Sequence, residues 1–357
     1  MKKRLFAGLL AGTMAMSLMA GCGSSSSSGA AADKDTASTS TAAASTAAAS
    51  ATTAAASGDA MNMTLIISSR TEFLGTLEEA AQEKAAEYNV NLTTQDANSD
   101  TNKLLEYVEA CVTAGEDAIL VNPIDSETGQ AIIDAAQGTP LVFCNIAPSD
   151  LSILNENATM VASDNLEAGY RQGEYLADYF KAQGKTDIKY IMMEGTLGMI
   201  HTEQRTQGVL DKLAELGINA EEAAAPLVGE YDRATAMDQI SPLLGNTEFD
   251  AIMCNNDAMA LGCIEALKAA NMDPSQYAIV GVDCTADGAQ AVADGEMKMT
   301  VFQDPVGQGT GSIQVALNMI NGEELTAHTD YSTAEDNEYV VWVPFETVTA
   351  DNVADYM

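Results

Sequence analysis

The sequence predicts an α/β protein of two lobes, each built on a doubly wound parallel sheet. From Met63 onwards, short and continuously apolar segments alternate with longer segments of helical periodicity. This alternation is typical of parallel strands whose two faces are both covered by helices. The pattern begins again after Asp164, and residues 61–357 are long for one domain and sufficient for two cores.

The individual elements follow from the spacing of apolar residues, which is continuous in the strands and three or four apart in the helices. In the first lobe, the predicted strands span 63–69, 90–95, 117–123 and 140–145, and the helices span 74–88, 102–114 and 128–137. In the second lobe, the predicted strands span 188–194, 226–229, 250–255, 278–283 and 299–303, and the helices span 166–183, 203–216, 234–244, 258–270 and 288–294. The glycine-rich segment 307–311 is expected to open a further helix.

The N-terminus has the features of a lipoprotein signal. A basic segment (1–4) precedes an apolar stretch (5–18), which is too short to span a membrane stably. Residues 19–22 resemble a lipobox that ends at Cys22, although Met19 stands where leucine is usual. We therefore expect a lipid anchor on Cys22 and an extracytoplasmic location, at the cell surface of a Gram-positive type of bacterium or in a periplasm. The alternative is an ordinary signal peptide with a chance cysteine.

Residues 23–60 are predicted to form a flexible spacer between the lipid and the folded part. The segment consists almost only of Ser, Ala, Thr and Gly and lacks aromatic and large aliphatic residues. Such a segment cannot bury enough apolar surface to offset the entropy lost on ordering. An alanine-rich helix is the alternative, and the interspersed Ser and Thr residues argue against it.

The charge balance restricts the partners. Asp and Glu number 52 against 16 Lys and Arg, which gives a formal net charge of -36. A surface of this sign repels nucleic acid and anionic lipid, so nucleic acid is not an expected partner and a polyanionic ligand is disfavoured.

The cysteines and histidines offer no metal or cofactor site. The cysteines after Cys22 lack CxxC spacing and lie mostly in apolar runs, so buried free thiols are expected: Cys111, Cys144, Cys254, Cys263 and Cys284. With only His201 and His328 available, no metal-ligand cluster can be assembled. Ser-His-Asp, Cys-His and HExxH arrangements are also absent from the sequence, so an enzyme is not expected.

Polar residues follow several predicted strands at the point where each strand ends. In open α/β sheets, ligands bind outside the carboxyl ends of the strands. The residues at these ends are Asn145, Asn256, Asp283 and Gln303. Amides donate and accept hydrogen bonds and carboxylates accept them, each in fixed directions, which is what discrimination between sugar hydroxyls requires. The neighbouring Asp257 is interpreted as a helix N-cap.

The segments NNDAMALG (255–262), GVD (281–283) and VVWVPFETVTADN (340–352) resemble those of the type I periplasmic sugar-binding proteins. The galactose/glucose-binding type is the nearest, and the ribose-binding type is further away. The resemblance implies two lobes joined by three chain crossings that close on a ligand. It implies that lobe boundaries fall at 61–163 with 304–332, and at 164–303 with 333–357. It also implies a monomer that hands a monosaccharide to an ABC transporter permease.

The resemblance places ligand-binding residues along the whole chain. Thr71 and Phe73 match the polar and aromatic positions of the first loop, Arg205 matches the arginine that donates to the sugar, and Tyr231 matches the second stacking aromatic. The remaining predicted ligand residues are Asn145, Met199, His201, Asn256, Asp283 and Gln303. Met199 and His201 depart from the galactose-type pattern, which has histidine and aspartate there. The calcium loop of the galactose type has no counterpart in residues 181–187, so no metal is expected.

The predicted ligand is a neutral hexose of the glucose or galactose type. Asn145 followed by Ile146 matches the hexose-type proteins and lacks the arginine of the ribose type. The departures at Met199 and His201 leave a pentose, an inositol or a modified sugar open. A module that presents a sugar to a membrane receptor, rather than to a permease, is the alternative function, because the same fold serves both.

Overall fold

The computed structural model describes residues 60–357. The predicted signal sequence (1–22), its Cys22 and almost all of the predicted spacer (23–60) lie outside the described residues. In the described part, no helix is long and apolar enough to cross a membrane. Residues 60–357 also contain no group of three His, Cys, Asp or Glu side chains placed to hold a metal ion.

Strands and helices alternate along most of the chain. The strands are β1 (Met61–Ile67), β2 (Val90–Asp96), β3 (Ala118–Val121), β4 (Leu141–Cys144), β5 (Ala158–Ala162), β6 (Asp187–Glu194), β7 (Asn219–Glu222), β8 (Leu227–Val228), β9 (Ala251–Cys254), β10 (Ala278–Asp283), β11 (Met299–Phe302), β12 (Ser332–Thr333), β13 (Val340–Trp342) and β14 (Glu346–Thr349). The α-helices are α1 (Glu72–Glu87), α2 (Thr101–Ala114), α3 (Gly129–Ala136), α4 (Asn165–Ala182), α5 (Ile200–Glu215), α6 (Arg233–Ile240), α7 (Asp257–Ala269), α8 (Ala286–Ala293) and α9 (Pro305–Asn321).

The strands form two seven-stranded sheets, one in each lobe. The first sheet has the order β12-β13-β5-β4-β3-β1-β2, and the second has the order β14-β11-β10-β9-β6-β7 with β8 paired to β6. The pairings are parallel except for β12 with β13 and β11 with β14. Both sheets are therefore doubly wound and dominated by parallel pairs, which confirms the predicted fold class.

Each sheet has a hydrophobic core on both of its faces, because alternate side chains of a strand point to opposite sides. In β1, Leu65 packs with α1 and α9 on one face, and Ile66 packs with α2 and α3 on the other. In β6, Met192 packs with α4 and α5, and Met193 packs with α6, α7 and α8. Strands covered on both sides must be apolar throughout, which is the pattern that predicted them.

The chain passes between the lobes three times, and the third crossing differs from the prediction. The first crossing follows β5 and the second follows β11. The prediction that residues 333–357 belong to the second lobe is wrong in part, because Val340 and Val341 of β13 pair with Met160 and Val161 of β5 in the first sheet. Both valines are fully buried there. The chain reaches the second sheet only at β14, which pairs with β11.

Candidate ligand-binding site

A cavity of about 490 Å³ lies at the carboxyl ends of the strands of both sheets. Residues of both lobes line it. Doubly wound sheets are expected to bind ligands outside the carboxyl ends of their strands. The structure brings together all ten residues that were predicted from the sequence. They are Thr71, Phe73, Asn145, Met199, His201, Arg205, Tyr231, Asn256, Asp283 and Gln303.

Arg205 is the only cationic side chain among the described residues of this lining, and three protein acceptors hold it in place. It is 4% exposed. Nε donates to Asn165 Oδ1 at 2.9 Å, Nη1 donates to the Asn255 carbonyl at 2.8 Å, and Nη2 donates to Gln303 Oε1 at 3.0 Å. A guanidinium has about five N–H donors, so about two remain for a ligand.

The position of Arg205 depends on the close approach of helices α4 and α5. A Cβ atom added at Gly169 would lie 2.5 Å from the Arg205 carbonyl oxygen, and one added at Gly208 would lie 2.6 Å from the Leu166 carbonyl oxygen. Only glycine leaves room for backbones this near to each other. The two glycines therefore allow the first half of α5 to pack closely on α4, and this packing positions Arg205 at the cavity.

Asp283 provides the carboxylate beside Arg205. Its Oδ1 lies 3.8 Å from Arg205 Nη1, and the side chain is 13% exposed. Burial raises the pKa of Asp283 to about 6, although the positive charge of Arg205 and a hydrogen bond from Asn256 both lower it. The charge of Glu72, which lies on the opposite wall, raises this pKa further. The Asp283 carboxylate is thus ionised at neutral pH, and it is protonated in mild acid and then no longer offers the same hydrogen-bond acceptor.

His201 and Tyr231 form a stacked pair in the second lobe. The ring centroids are 5.0 Å apart and the planes are inclined by 29°. The Tyr231 hydroxyl lies 2.7 Å from Thr202 Oγ1. A Cβ atom at Gly195 would overlap with the Tyr231 ring, so this ring is enclosed on two sides. The prediction made Tyr231 the stacking surface, whereas in the structure His201 covers one face of that ring.

Burial and, to a smaller extent, the charge of Arg205 lower the pKa of His201 to about 3. The imidazole is therefore neutral at physiological pH. Its Nδ1 atom is buried and has no hydrogen-bond partner within residues 60–357. A buried polar atom without a partner costs free energy, so this position of the imidazole lowers the stability of the folded protein.

The first lobe contributes Phe73, Thr71 and Asn145. Phe73 is partly buried against the core of this lobe. Thr71 caps helix α1, because its hydroxyl accepts a hydrogen bond from the Leu74 amide at 3.2 Å. Asn145 has a positive φ of 66°, which asparagine tolerates better than most residues. Its Nδ2 donates to Gln308 Oε1 at 3.1 Å, so the Asn145 amide is oriented by a neighbouring side chain.

The end of β9 differs from the prediction in one respect. The interpretation of Asp257 as the N-cap of α7 is wrong, because Asn256 Oδ1 accepts from the Met259 amide at 3.0 Å and caps this helix. Asp257 is the first helical residue and is fully buried. Asn256 keeps its amide group for Asp283, whose pKa it lowers through a hydrogen bond.

Sequence reasoning missed several residues that build the site. Asn165 and Asn255 hold Arg205, Gln308 holds Asn145, and Glu72 and Glu230 add charge to the lining. Asn255 carried a usable signal, since it stands at the same strand end as Asn256. Gln308 carried none, because its partner Asn145 is 163 residues away in the chain.

A cleft between two doubly wound lobes, lined by an oriented arginine, a carboxylate and several amides, defines a solute-binding protein. Residues 64–324 match the model of the periplasmic binding protein domain. The chain belongs to the periplasmic binding protein family.

Two relatives and one solved structure illustrate this membership. A protein of Rhizobium meliloti named for rhizopine binding is 33% identical over 75% of this chain and 82% of its own length. The D-galactose/methyl-galactoside binding periplasmic protein of Haemophilus influenzae is 31% identical over 74% of this chain and 80% of its own length. The structure of an ABC transporter solute-binding protein from Bacillus halodurans with bound myo-inositol has 29% identity and a TM-score of 0.73, over 84% of this chain and 98% of that one. Such relatives are solute-binding proteins and not enzymes, and this chain is of the same class.

Proposed function

We propose that this protein captures a neutral monosaccharide between its two lobes and delivers it to an ABC transporter permease. The observation that carries the proposal is Arg205, which is buried, held by three protein acceptors and left with about two N–H groups for a ligand. Asp283 beside it supplies an acceptor. A donor and an acceptor fixed side by side suit a pair of neighbouring hydroxyl groups.

The remaining lining suits a ring with apolar faces and a polar edge. Phe73 enters the cavity from the first lobe, and the stacked His201 and Tyr231 enter from the second. Aromatic surfaces pack on the C–H faces of a sugar ring, while Asn145 and Asn256 reach its hydroxyls.

Within this class we propose a hexose of the glucose or galactose type. The relative named for galactose binding supports this choice, and so does Asn145 followed by Ile146. A cyclitol is the second candidate, since the related structure from Bacillus halodurans holds myo-inositol and a relative is named for rhizopine. A six-membered ring with hydroxyls around its edge is common to glucose, galactose and myo-inositol.

We further propose that the protein acts as a monomer, outside the cytoplasm, and is anchored by lipid on Cys22. The lipobox-like residues 19–22 and the flexible composition of residues 23–60 support this arrangement. A flexible tether lets the folded part reach a permease while the lipid keeps it near the membrane.

Isothermal titration with glucose, galactose, xylose, ribose and myo-inositol tests the function and the choice of ligand. We expect tight binding of glucose or galactose, and a melting temperature that rises with ligand concentration. Tight binding of ribose with none of either hexose contradicts the hexose assignment. Conversion of any of these sugars to a product contradicts the proposed class. Arg205→Ala should bind the preferred sugar at least about tenfold more weakly, which assigns the measured binding to this cavity.

A further inference from the structure

Asp257 is a fully buried carboxyl group that does not line the cavity and that the helix cap does not require. Both of its oxygens have hydrogen-bond partners, one in β11 and one in the turn between β10 and α8. Oδ1 accepts from the Thr300 hydroxyl at 2.6 Å, and Oδ2 accepts from the Thr285 amide at 2.9 Å. A carboxyl group is costly to bury, and these hydrogen bonds offset that cost only in part, so its burial calls for a structural or functional reason.

Two glycines leave room for the Asp257 carboxyl group. A Cβ atom at Gly281 would overlap with Asp257 Oδ1, and a Cβ atom at Gly288 would overlap with Oδ2. Gly281 lies in β10 and Gly288 in α8, so the elements on either side of the 283–285 turn both leave room for this carboxyl group. The pocket fits Asp257 and no larger group.

The 283–285 turn that Asp257 holds is strained. Asp283 has a φ of 116° and Cys284 a φ of 54°, which are both positive although neither residue is glycine. Such conformations persist only where the surroundings determine them fully. The Thr285 amide donates directly to Asp257, and the Cys284 amide donates at 3.2 Å to the Thr300 hydroxyl, which in turn donates to Asp257.

The strained turn sets the position of the ligand-facing groups. Asp283 is the residue at which β10 turns, and its carboxylate lies 3.8 Å from Arg205. The backbone carbonyl of Asp283 accepts from the backbone amide of Gln303 at 3.3 Å, and the side chain of Gln303 accepts from Arg205. A change in the turn therefore moves the acceptor Asp283 relative to the donor Arg205.

We propose that Asp257 is a positioning residue for ligand binding, which holds the strained 283–285 turn so that Asp283 presents its carboxylate to the ligand beside Arg205. The inference rests on the proposed function, because it takes the ligand to contact Asp283. Asp257 itself touches no ligand and acts through the backbone of Cys284 and Thr285.

The first test compares Asp257→Ala, Asp257→Asn and Asp283→Ala by titration with the sugar from the five-sugar panel that binds the wild-type protein most tightly. Asp257→Ala should weaken binding by about tenfold or more, and Asp257→Asn by no more than about threefold. Asparagine keeps the acceptor for the Thr285 amide and turns its NH₂ group to the Thr300 hydroxyl. The variant with both Asp257→Ala and Asp283→Ala should bind no more weakly than Asp283→Ala alone, since the two residues act as one unit.

The second test needs no ligand. Carboxyl NMR titration of the full chain, with Asp283 assigned through Asp283→Asn, measures the pKa of Asp283 in each variant. Burial raises this pKa in the wild-type protein to about 6, and Arg205, Asn256 and Glu72 also act on it. Asp257, Cys284 and Tyr231 are close enough to interact with the charge of Asp283, so Asp257→Asn, which lacks the Asp257 charge but keeps the turn, separates the effect of that charge from the effect of the turn. In Asp257→Ala, a relaxed turn should move the Asp283 pKa towards its ordinary value, while Asp257→Asn should leave it nearly unchanged.

Thr300→Val covers the case in which Asp257→Ala fails to fold, because it removes only the hydroxyl that links the Cys284 amide to Asp257. It should weaken binding and shift the Asp283 pKa in the same direction. Thr159→Val, a buried threonine in the first lobe, is the matched control and should change neither.

An unchanged Asp283 pKa together with additive losses of affinity in the double variant overturns the proposal. If the wild-type protein binds none of the five sugars, the proposed function fails, and the NMR titration still decides the role of Asp257.

Discussion

The imidazole of His201 stacks on the ring of Tyr231, with the two centroids 5.0 Å apart. This pair forms one wall of the cleft, and Arg205 follows His201 one helical turn later in α5. Burial and the charge of Arg205 keep the imidazole of His201 neutral, and its buried Nδ1 has no hydrogen-bond partner among the residues that the structure describes. The wall therefore contributes a flat aromatic surface to the cleft.

Arg205→Ala is expected to weaken ligand binding by about tenfold or more, because a hydrogen bond from a charged donor to a desolvated hydroxyl contributes about 1.5–3 kcal/mol. Isothermal titration measures the loss. Arg233→Ala is the matched control, since Arg233 lies in the same lobe but pairs with Glu265 and Asp287 at the surface. A dissociation constant that Arg205→Ala leaves unchanged removes Arg205 from the site.

His201→Phe is expected to preserve the stack on Tyr231 and to make the free protein more tolerant of acid. The pKa of His201 is lowered to about 3 in the folded protein, against 6.5 for an ordinary histidine. Stability from the neutral ring is therefore present above about pH 6.5 and is lost as the pH falls towards 3. We compare the unfolding free energy of His201→Phe with that of the wild-type protein at two pH values. The difference should favour the variant by about 2 kcal/mol more at about pH 5 than at about pH 8. Denaturant melts at the two pH values measure this, and equal differences contradict it.

Asp283→Asn is expected to change the pH dependence of stability in the direction opposite to His201→Phe. The pKa of Asp283 is raised to about 6 from an ordinary 3.8. Stability from the protonated form is therefore fully present below the ordinary value and is lost as the pH rises through about 6. Relative to Asp283→Asn, the wild-type protein without ligand should lose about 2 kcal/mol of unfolding free energy between about pH 4.5 and about pH 8.

The same ionisation predicts the pH dependence of sugar binding. The wild-type protein should bind more weakly as the pH falls below about 6, because the carboxylate acceptor is protonated. Asp283→Asn should bind weakly at every pH, with a flatter profile. An affinity that does not vary between about pH 5 and about pH 8 in the wild-type protein is inconsistent with Asp283 as the acceptor.

Gly169→Ala is expected to lower both stability and affinity, because the added Cβ would lie 2.5 Å from the Arg205 carbonyl and push α5 away from α4. A clash with backbone typically costs about 1–3 kcal/mol. Gly75→Ala is the control, since a Cβ there meets nothing within 4 Å. Thermal melts and titration together should show a loss in the first variant and none in the second.

Cys22→Ala is expected to release the protein from the membrane fraction of its host. Two acyl chains on one cysteine are sufficient for stable anchoring, and the loss of the cysteine removes them both. Fractionation followed by immunoblotting measures the distribution. Retention of the whole population in the membrane fraction refutes the lipid anchor, whereas the titrations above are unaffected by this outcome.

The class of fold could be predicted from the sequence because its signals are local. Segments such as 118–121 and 251–254 are apolar without interruption, which is a requirement of burial on both faces of a sheet and is visible without any partner strand. The strand-end residues Asn256 and Asp283 followed from the same reasoning. Pro242 also carried a local signal that the prediction of a helix over 234–244 did not use, since α6 ends at Ile240 and a 3₁₀ turn follows.

What the sequence by itself determined is thus the alternation of strands and helices, the two lobes and the polar residues at the strand ends. The tertiary structure alone decided that β13 joins the first sheet, that Asn256 rather than Asp257 caps α7, and that Asn165 and Asn255 hold Arg205. Each of these depends on contacts between residues distant in the chain. A strand's apolar pattern is the same whichever neighbour it pairs with, and an amide's partner depends on how the helices and sheets pack.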